Sequence, residues 1–216
     1  FTFAETAEDS YKRMIKYVTI AENFIKRCKL KSKKINTSDK KNNNFDIGKL
    51  QNQFRKIYFN TTKTKWIIKH NGKKDDILLS NLKNLKKMFG KGPVTPDHVI
   101  RIKSKPLIIE SIINKKDNFI ENSIMQYVSE YNKYFLKYKN TIKNAKISDP
   151  LPRIIIVPNL GYFSIGLTQK EEQISNDIFL SMKESIIDSN YVSTFKSINQ
   201  KEIFKMEYWP LERAKL

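Results

Sequence analysis

The residues best suited to chemistry stand in one short run, Asp97, His98 and Arg101 of "VTPDHVIRIKSKPLII" at positions 94–109. A carboxylate, an imidazole and a guanidinium so close together supply an acceptor, a titratable group and a fixed fork of donors, a combination suited to an anion- or sugar-facing pocket at a domain junction. The same residues have a local reading, in which Asp97 caps a turn or strand end after Pro96 and His98 bonds to nearby backbone. We favour the local reading and assign the three no catalytic role; they stand as pocket candidates. His70 is the other histidine. Catalytic zinc usually takes three protein ligands, and two separated histidines without a carboxylate at ligand spacing do not supply them. Cys28 is the single cysteine, which excludes a disulfide framework or a cysteine zinc site within the chain and fits a reducing cytoplasm. The glycines, at 48, 72, 90, 92, 161 and 166, form no G-x-G-x-x-G. No catalytic, metal-binding or cofactor-binding residue is therefore expected in this chain.

Several elements must position these groups. Thr6 is suited to cap a helix over 6–29, with Glu8 and Asp9 in its first turn and Tyr11, Met14, Ile15, Val18, Ala21, Ile25 and Cys28 recurring at helical spacing. Residues 30–46 lose all periodicity to Lys and Asn and read as an exposed linker. A short helix from Ile47 to Ile57, a strand over 65–70, and a small helix with Leu78, Leu79, Leu82, Leu85, Met88 and Phe89 on one side follow, stopped by "GKGP". Val99, Ile100 and Ile102, then 107–109, read as short extended segments. The next helix spans 118–139, with a stripe of Phe119, Met125, Val128, Tyr131, Phe135 and Tyr138 expected to be core. The run 153–157 reads as a strand covered on both faces, followed by a strand at 162–165 and a helix over 169–189 in which Thr168 and Glu171 form a capping box. Pro210 suits the first position of a final helix, with Trp209 before it as an apolar anchor. The fold class expected is α/β, a small mixed sheet flanked by helices with a long N-terminal helix.

Lys plus Arg exceeds Asp plus Glu by 41 − 22 = 19, in a chain of 216 residues with 39% hydrophobic content. That balance raises nucleic acid as a partner, with Lys26, Arg27, Lys29, Lys31, Lys33, Lys34, Lys40 and Lys41 as its densest cluster. The accompanying richness in Asn and Ile points instead to a proteome-wide compositional bias, and nucleic acid is the less favoured partner. No stretch approaches 18 uninterrupted apolar residues and the first residues, Phe-Thr-Phe-Ala-Glu, show neither a charged start nor an apolar h-region, so no membrane partner is expected and the location expected is the cytoplasm. The sequence does not begin with Met, and a fragment of a longer protein is expected.

An internal echo links the two ends. At an offset of 163 − 1 = 162, Phe1 meets Phe163, Thr2 meets Ser164, Phe3 meets Ile165, Ala4 meets Gly166, Thr6 meets Thr168 and Asp9 meets Glu171. Both copies read as a strand ending in a Thr-capped helix. "FTFAETAEDSYKRMI" resembles the stretch after the His-Gly that supplies the third metal-binding histidine of class II aldolases of the aldolase/adducin superfamily. "GPVTPDHVIRIKSKPLII", "PRIIIVPNLGYFSIGLTQKEEQI" and "FKMEYWPLERAKL" resemble the middle region of bifunctional proteins that join such an aldolase to a short-chain dehydrogenase, among them rhamnulose-phosphate aldolase/lactaldehyde dehydrogenase fusions. It is this resemblance that singles out Asp97, His98 and Arg101.

The resemblance implies that the metal ligands lie upstream of Phe1 and the nucleotide loop downstream of Leu216. Leu160-Gly161 stands in the second unit where a His-Gly would have stood, and leucine cannot ligate a metal. The chain then divides into residues 1–29, the last strand and helix of an upstream aldolase-like domain; 30–46, the linker; 47–198, a degenerate aldolase-like middle domain; and 199–216, a connector to a downstream dehydrogenase. The implied role is a noncatalytic connector in a bifunctional sugar-phosphate aldolase and NAD(P)-dependent oxidoreductase of carbohydrate metabolism, whose divalent metal, zinc, and NAD(P) belong to the flanking domains. Those domains are its expected partners, with a homo-oligomer interface as a further expectation. A basic nucleic-acid-binding module and a stand-alone aldolase-type lyase are the alternatives.

Overall fold

The computed structural model describes residues 1–31, 46–109 and 118–214. Its centre is the run Ile154–Val157 (β3), four apolar residues without a polar alternation, and Gly161–Gly166 (β4), both buried along their whole length. Successive side chains on a strand point to opposite faces, so a strand apolar at every position must be covered twice. Ile155, Val157, Phe163 and Ile165 enter one core, while Ile154, Ile156 and Tyr162 enter another on the opposite face. Ile67–Asn71 (β1) pairs antiparallel to β4, β4 antiparallel to β3, and Leu107–Ile108 (β2) parallel to β3, giving the order β1-β4-β3-β2. The mixed sheet between helical layers is the α/β class expected.

The first face carries Ile47–Thr62 (α2) and Phe119–Tyr138 (α6). Leu50, Phe54, Ile57 and Tyr58 of α2 and Ile120, Ile124 and Tyr127 of α6 pack on Ile68, Ile155 and Phe163. Asp46 starts α2 by accepting a hydrogen bond from the Lys49 N–H at 2.9 Å. The helix runs a turn beyond the predicted Ile57 and ends at Lys63, whose φ of 58° is a left-handed C-cap. On α6 the buried face is Ile120, Ile124, Tyr127, Tyr131 and Phe135, so the predicted stripe is correct at Tyr131 and Phe135. Met125, Val128 and Phe119 are only partly buried against the same core.

The second face carries Lys74–Ser80 (α3), Leu85–Phe89 (α4) and Gln169–Val192 (α7), whose Leu79, Met88, Phe89, Phe179, Met182 and Ile186 close over Ile154, Ile156 and Tyr162. The single helix expected over 78–89 is two, because the backbone leaves helical geometry at Asn81 and the Asn81 side-chain oxygen instead accepts from the Asn159 N–H at the β3–β4 turn (3.0 Å). Thr168 caps α7 as predicted, accepting from the Glu171 N–H at 3.1 Å. The Glu171 carboxylate reaches back to the N–H of Leu167, one residue before the cap.

Two more expectations are corrected at α5 and at the N-terminus. Residues 99–102 are helical, within Pro96–Ile102 (α5), since Pro96 occupies the first helical turn and Val99, Ile100 and Ile102 are buried on a helical period. Residues 1–4 form no strand, so the echo of β4 stops short of the sheet: β4 is flanked by β1 and β3, and the first four residues have no such neighbour. The capped-helix half of the echo holds, with Thr6 accepting from the Asp9 N–H at 3.1 Å and Ala7–Lys31 (α1) following. Of the predicted linker, only residues 30, 31 and 46 lie among the described residues.

Two further helices, Gln200–Glu207 (α8) and Pro210–Arg213 (α9), complete the described chain. Pro210 opens α9 as anticipated. Trp209 is 44% exposed, and the anchor is its neighbour Tyr208, stacked at 4.4 Å on Phe204.

Gly166 sets the separation of β4 from α7. A Cβ there would lie 2.2 Å from the Glu172 backbone nitrogen, with no flexible side chain to move aside. Gly166→Ala is therefore expected to lower the unfolding free energy by about 1–3 kcal/mol, read as a lower urea midpoint; an unchanged midpoint would show that the helix can retreat without loss.

Candidate functional site

The three sequence candidates share α5 but not one environment. Asp97 is exposed, Arg101 is half-buried, and His98 is buried, its Nδ1 accepting a hydrogen bond from the Val94 N–H at 3.3 Å. Burial holds the His98 imidazole below its ordinary pKa, with the Asp97 charge opposing. The Val94 bond is a local one, to the backbone four residues upstream. His70, on β1, places Nε2 2.7 Å from the Leu160 carbonyl oxygen; the oxygen can only accept, so Nε2 carries the proton. Leu160 itself is buried in the first core. Among the described residues no three of His, Cys, Asp and Glu are gathered to hold a metal ion, and no helix is long and apolar enough to cross a membrane.

A different cluster emerges where α5, α6 and α8 converge. Lys103, just past α5, is 5% exposed, and Glu207, at the end of α8, is 2% exposed. Their charged atoms stand 3.9 Å apart, bridged by Tyr131 of α6. Lys103 Nζ donates to the Tyr131 oxygen at 3.3 Å, and the Tyr131 hydroxyl donates to Glu207 Oε1 at 2.6 Å. With that proton committed, the 2.7 Å contact between Tyr131 and Tyr208 requires Tyr208 to be the donor. The Ser148 N–H donates to Tyr208 in turn, and Arg213 donates to the Ser148 hydroxyl at 2.6 Å. Among the described residues no well-formed hydrogen bond reaches the buried Glu207 Oε2 or the buried Tyr134 hydroxyl, although the two groups stand near enough to influence each other's protonation.

Electrostatics pull this cluster in two directions. Burial pushes the Glu207 carboxyl above its ordinary range and brings Lys103 down to about 8, while the attraction between the two opposes both shifts. Burial and the Glu207 charge keep Tyr131 and Tyr134 protonated well beyond the usual phenol range. Lys103 also has φ 68° and ψ 173°, a region that side chains other than glycine rarely occupy. The turn it makes sends its own side chain inward and places Ser104 and Lys105 on the wall of a cavity of about 330 Å³. Tyr131 and Tyr134 line the same cavity, so the buried ion pair lies directly behind it.

The model of the family described as "Aldolase class II, second domain" matches residues 47–216. The chain belongs to that family. It is also 27% identical over 130 residues to the uncharacterized oxidoreductase YuxG of Bacillus subtilis (strain 168), an alignment covering 58% of this chain and 19% of that protein. The chain thus spans about a fifth of the curated relative's length. No solved structure matches it.

Within this second domain the ion pair went unannounced in the sequence. Lys103 and Glu207 each sit among many other charges, and the only local signal is an apolar neighbourhood: Ile100, Ile102, Ile203 and Phe204. α8 itself is a helix that the sequence reading does not mark.

Removing one member of a buried pair strands the other. Lys103→Met should cost about 3–5 kcal/mol of stability, and adding Glu207→Leu should recover most of it; a double variant no more stable than the single would refute the coupling. The pH dependence has a defined sign. Between about 8, where native Lys103 releases its proton, and the ordinary value of 10.5, the unfolded chain binds the extra proton, so this group's contribution to stability rises with pH. Wild-type stability minus that of Lys103→Met should accordingly increase across this window in urea titrations.

Proposed function

We propose that the domain is a noncatalytic connector in a larger protein that couples a metal-dependent sugar-phosphate aldolase to an NAD(P)-dependent short-chain oxidoreductase. Family membership supports the aldolase side of this reading, and the name of the Bacillus relative supports the oxidoreductase side. The metal and the nucleotide belong in this reading to the flanking domains. His70 and His98 are already engaged with backbone groups, and the aliphatic Leu160 occupies the position at which the resemblance would place a ligand.

The observation that carries the connector role is α1. None of its residues is buried, although Tyr11, Met14, Ile15, Tyr17, Val18, Ile20 and Phe24 form an amphipathic apolar surface. It packs beside α7 and is tied to it by the ion pair of Lys29 with Asp188 at 2.6 Å. Burial of apolar surface is favoured by about 25 cal/mol per Å², so so many large side chains on one helix select a protein surface to cover them. An upstream aldolase-like domain, whose last helix α1 would be, is that surface.

Purified residues 1–216 should neither cleave a sugar phosphate nor bind NAD in calorimetry at sub-millimolar strength, and either activity would overturn the proposal. In the protein carrying its flanking domains, Ile15→Lys with Val18→Lys should separate the thermal transition of the aldolase domain from that of residues 47–216. Transitions that stay coupled as in the wild type would remove α1 as the joint.

A further inference from the structure

We propose that the cavity beside Lys103 is a binding site for a small organic phosphate monoester. Four lysines surround it, Lys91, Lys105, Lys133 and Lys137, against one carboxylate, Glu130. Lys105 already pairs with Glu130 at 2.8 Å, and this contact holds the Glu130 carboxyl below its usual range. Lys91, Lys133 and Lys137 have no carboxylate partner among the described residues. The concavity therefore holds a surplus of about three positive charges, where low-dielectric walls strengthen the field beyond that of a flat basic surface.

Local structure is arranged at some cost to produce this. Lys133 and Lys137 are four apart on α6, a spacing at which like charges repel along a helix, and both line the cavity. Lys103 takes a conformation suited to glycine, and by doing so turns Ser104 and Lys105 onto the cavity wall. A multiply charged anion relieves the repulsion, and ammonium groups meet phosphate oxygens as compact point charges. Tyrosine rings, including that of Tyr134, form the apolar part of the lining, against which a sugar or base packs. The volume of about 330 Å³ accommodates a sugar phosphate or a mononucleotide.

Calorimetry at about 150 mM salt, where diffuse surface attraction is screened, separates the sources: glucose 6-phosphate, AMP and inorganic phosphate, with glucose and adenosine as uncharged controls. One saturable site is expected for at least one of the two esters, with weaker binding of inorganic phosphate and none of the controls. Lys133→Gln with Lys137→Gln should weaken the ester by at least about tenfold while leaving the thermal midpoint of unfolding unchanged or raised. Lys56→Gln with Lys170→Gln, on exposed positions away from the cavity, should leave binding intact. Absence of saturable binding up to about 10 mM, or equal losses in the two double variants, would overturn the site. Tight binding of a single-stranded oligonucleotide that survives Lys133→Gln with Lys137→Gln would replace it with a diffuse nucleic-acid surface. Every one of these outcomes is independent of the connector role.

Discussion

The whole arrangement follows from the burial of β3 and β4 on both faces. Ile154 to Val157 offers no polar side chain to water, and the polar groups of β4 are satisfied internally: the Ser164 hydroxyl by the Glu172 carboxylate at 2.5 Å and by Asn71 at 2.8 Å, and the Tyr162 hydroxyl by the Asn176 side-chain oxygen at 2.7 Å. A strand pair of this kind is stable only between two helical layers. The layers are supplied by α2 and α6 on one side and by α3, α4 and α7 on the other, and Gly166 lets α7 begin almost in contact with the strand that precedes it. Ser164 and Glu172 show the same economy: the buried carboxylate, in the first turn of α7 where the helix dipole favours negative charge, accepts the hydrogen bond of the strand's hydroxyl.

Outside that sandwich a second, more polar junction forms. α5 and α8 meet the C-terminal half of α6, where Phe135, Phe204 and Tyr208 make a small aromatic core and Val99, Ile100 and Ile203 a small aliphatic one. The Lys103–Glu207 pair closes this junction from within. Buried ion pairs contribute little net stability compared with apolar packing, because desolvation offsets their attraction, but they tolerate few alternative dockings. Tyr131 couples the pair to the cavity wall, so the charge state behind the wall and any anion in front of it share one side chain.

How far this was legible from the amino-acid order varies by element. α1, α7, β3 and β4 follow from periodicity, capping residues and β-branched runs, all of which act within a few positions along the chain. α5 reads as extended from sequence because Val99, Ile100 and Ile102 favour strands, and the helix prevails only once Pro96 starts it and its apolar side packs against α7 and α8. The split of α3 from α4 depends on Asn81 reaching the β3–β4 turn, 78 residues away. Asp97, His98 and Arg101 were visible as residue types, whereas the cavity lysines were hidden in a chain that has 41 basic residues.

Taken alone, the sequence determined the α/β class, the capped helices, the doubly covered strands and the kinship with class II aldolases, since each rests on short-range pattern or on ordered motifs. Only the tertiary structure decided that Lys103 meets Glu207, that the His70 ring donates to the Leu160 carbonyl, and that Lys91, Lys105, Lys133 and Lys137 ring one hollow. The physical reason is range: helix and strand formation are settled by neighbours along the chain, while the pairing of charges depends on how whole elements dock, and docking is governed by apolar surfaces that carry no mark of which charges they will bring together.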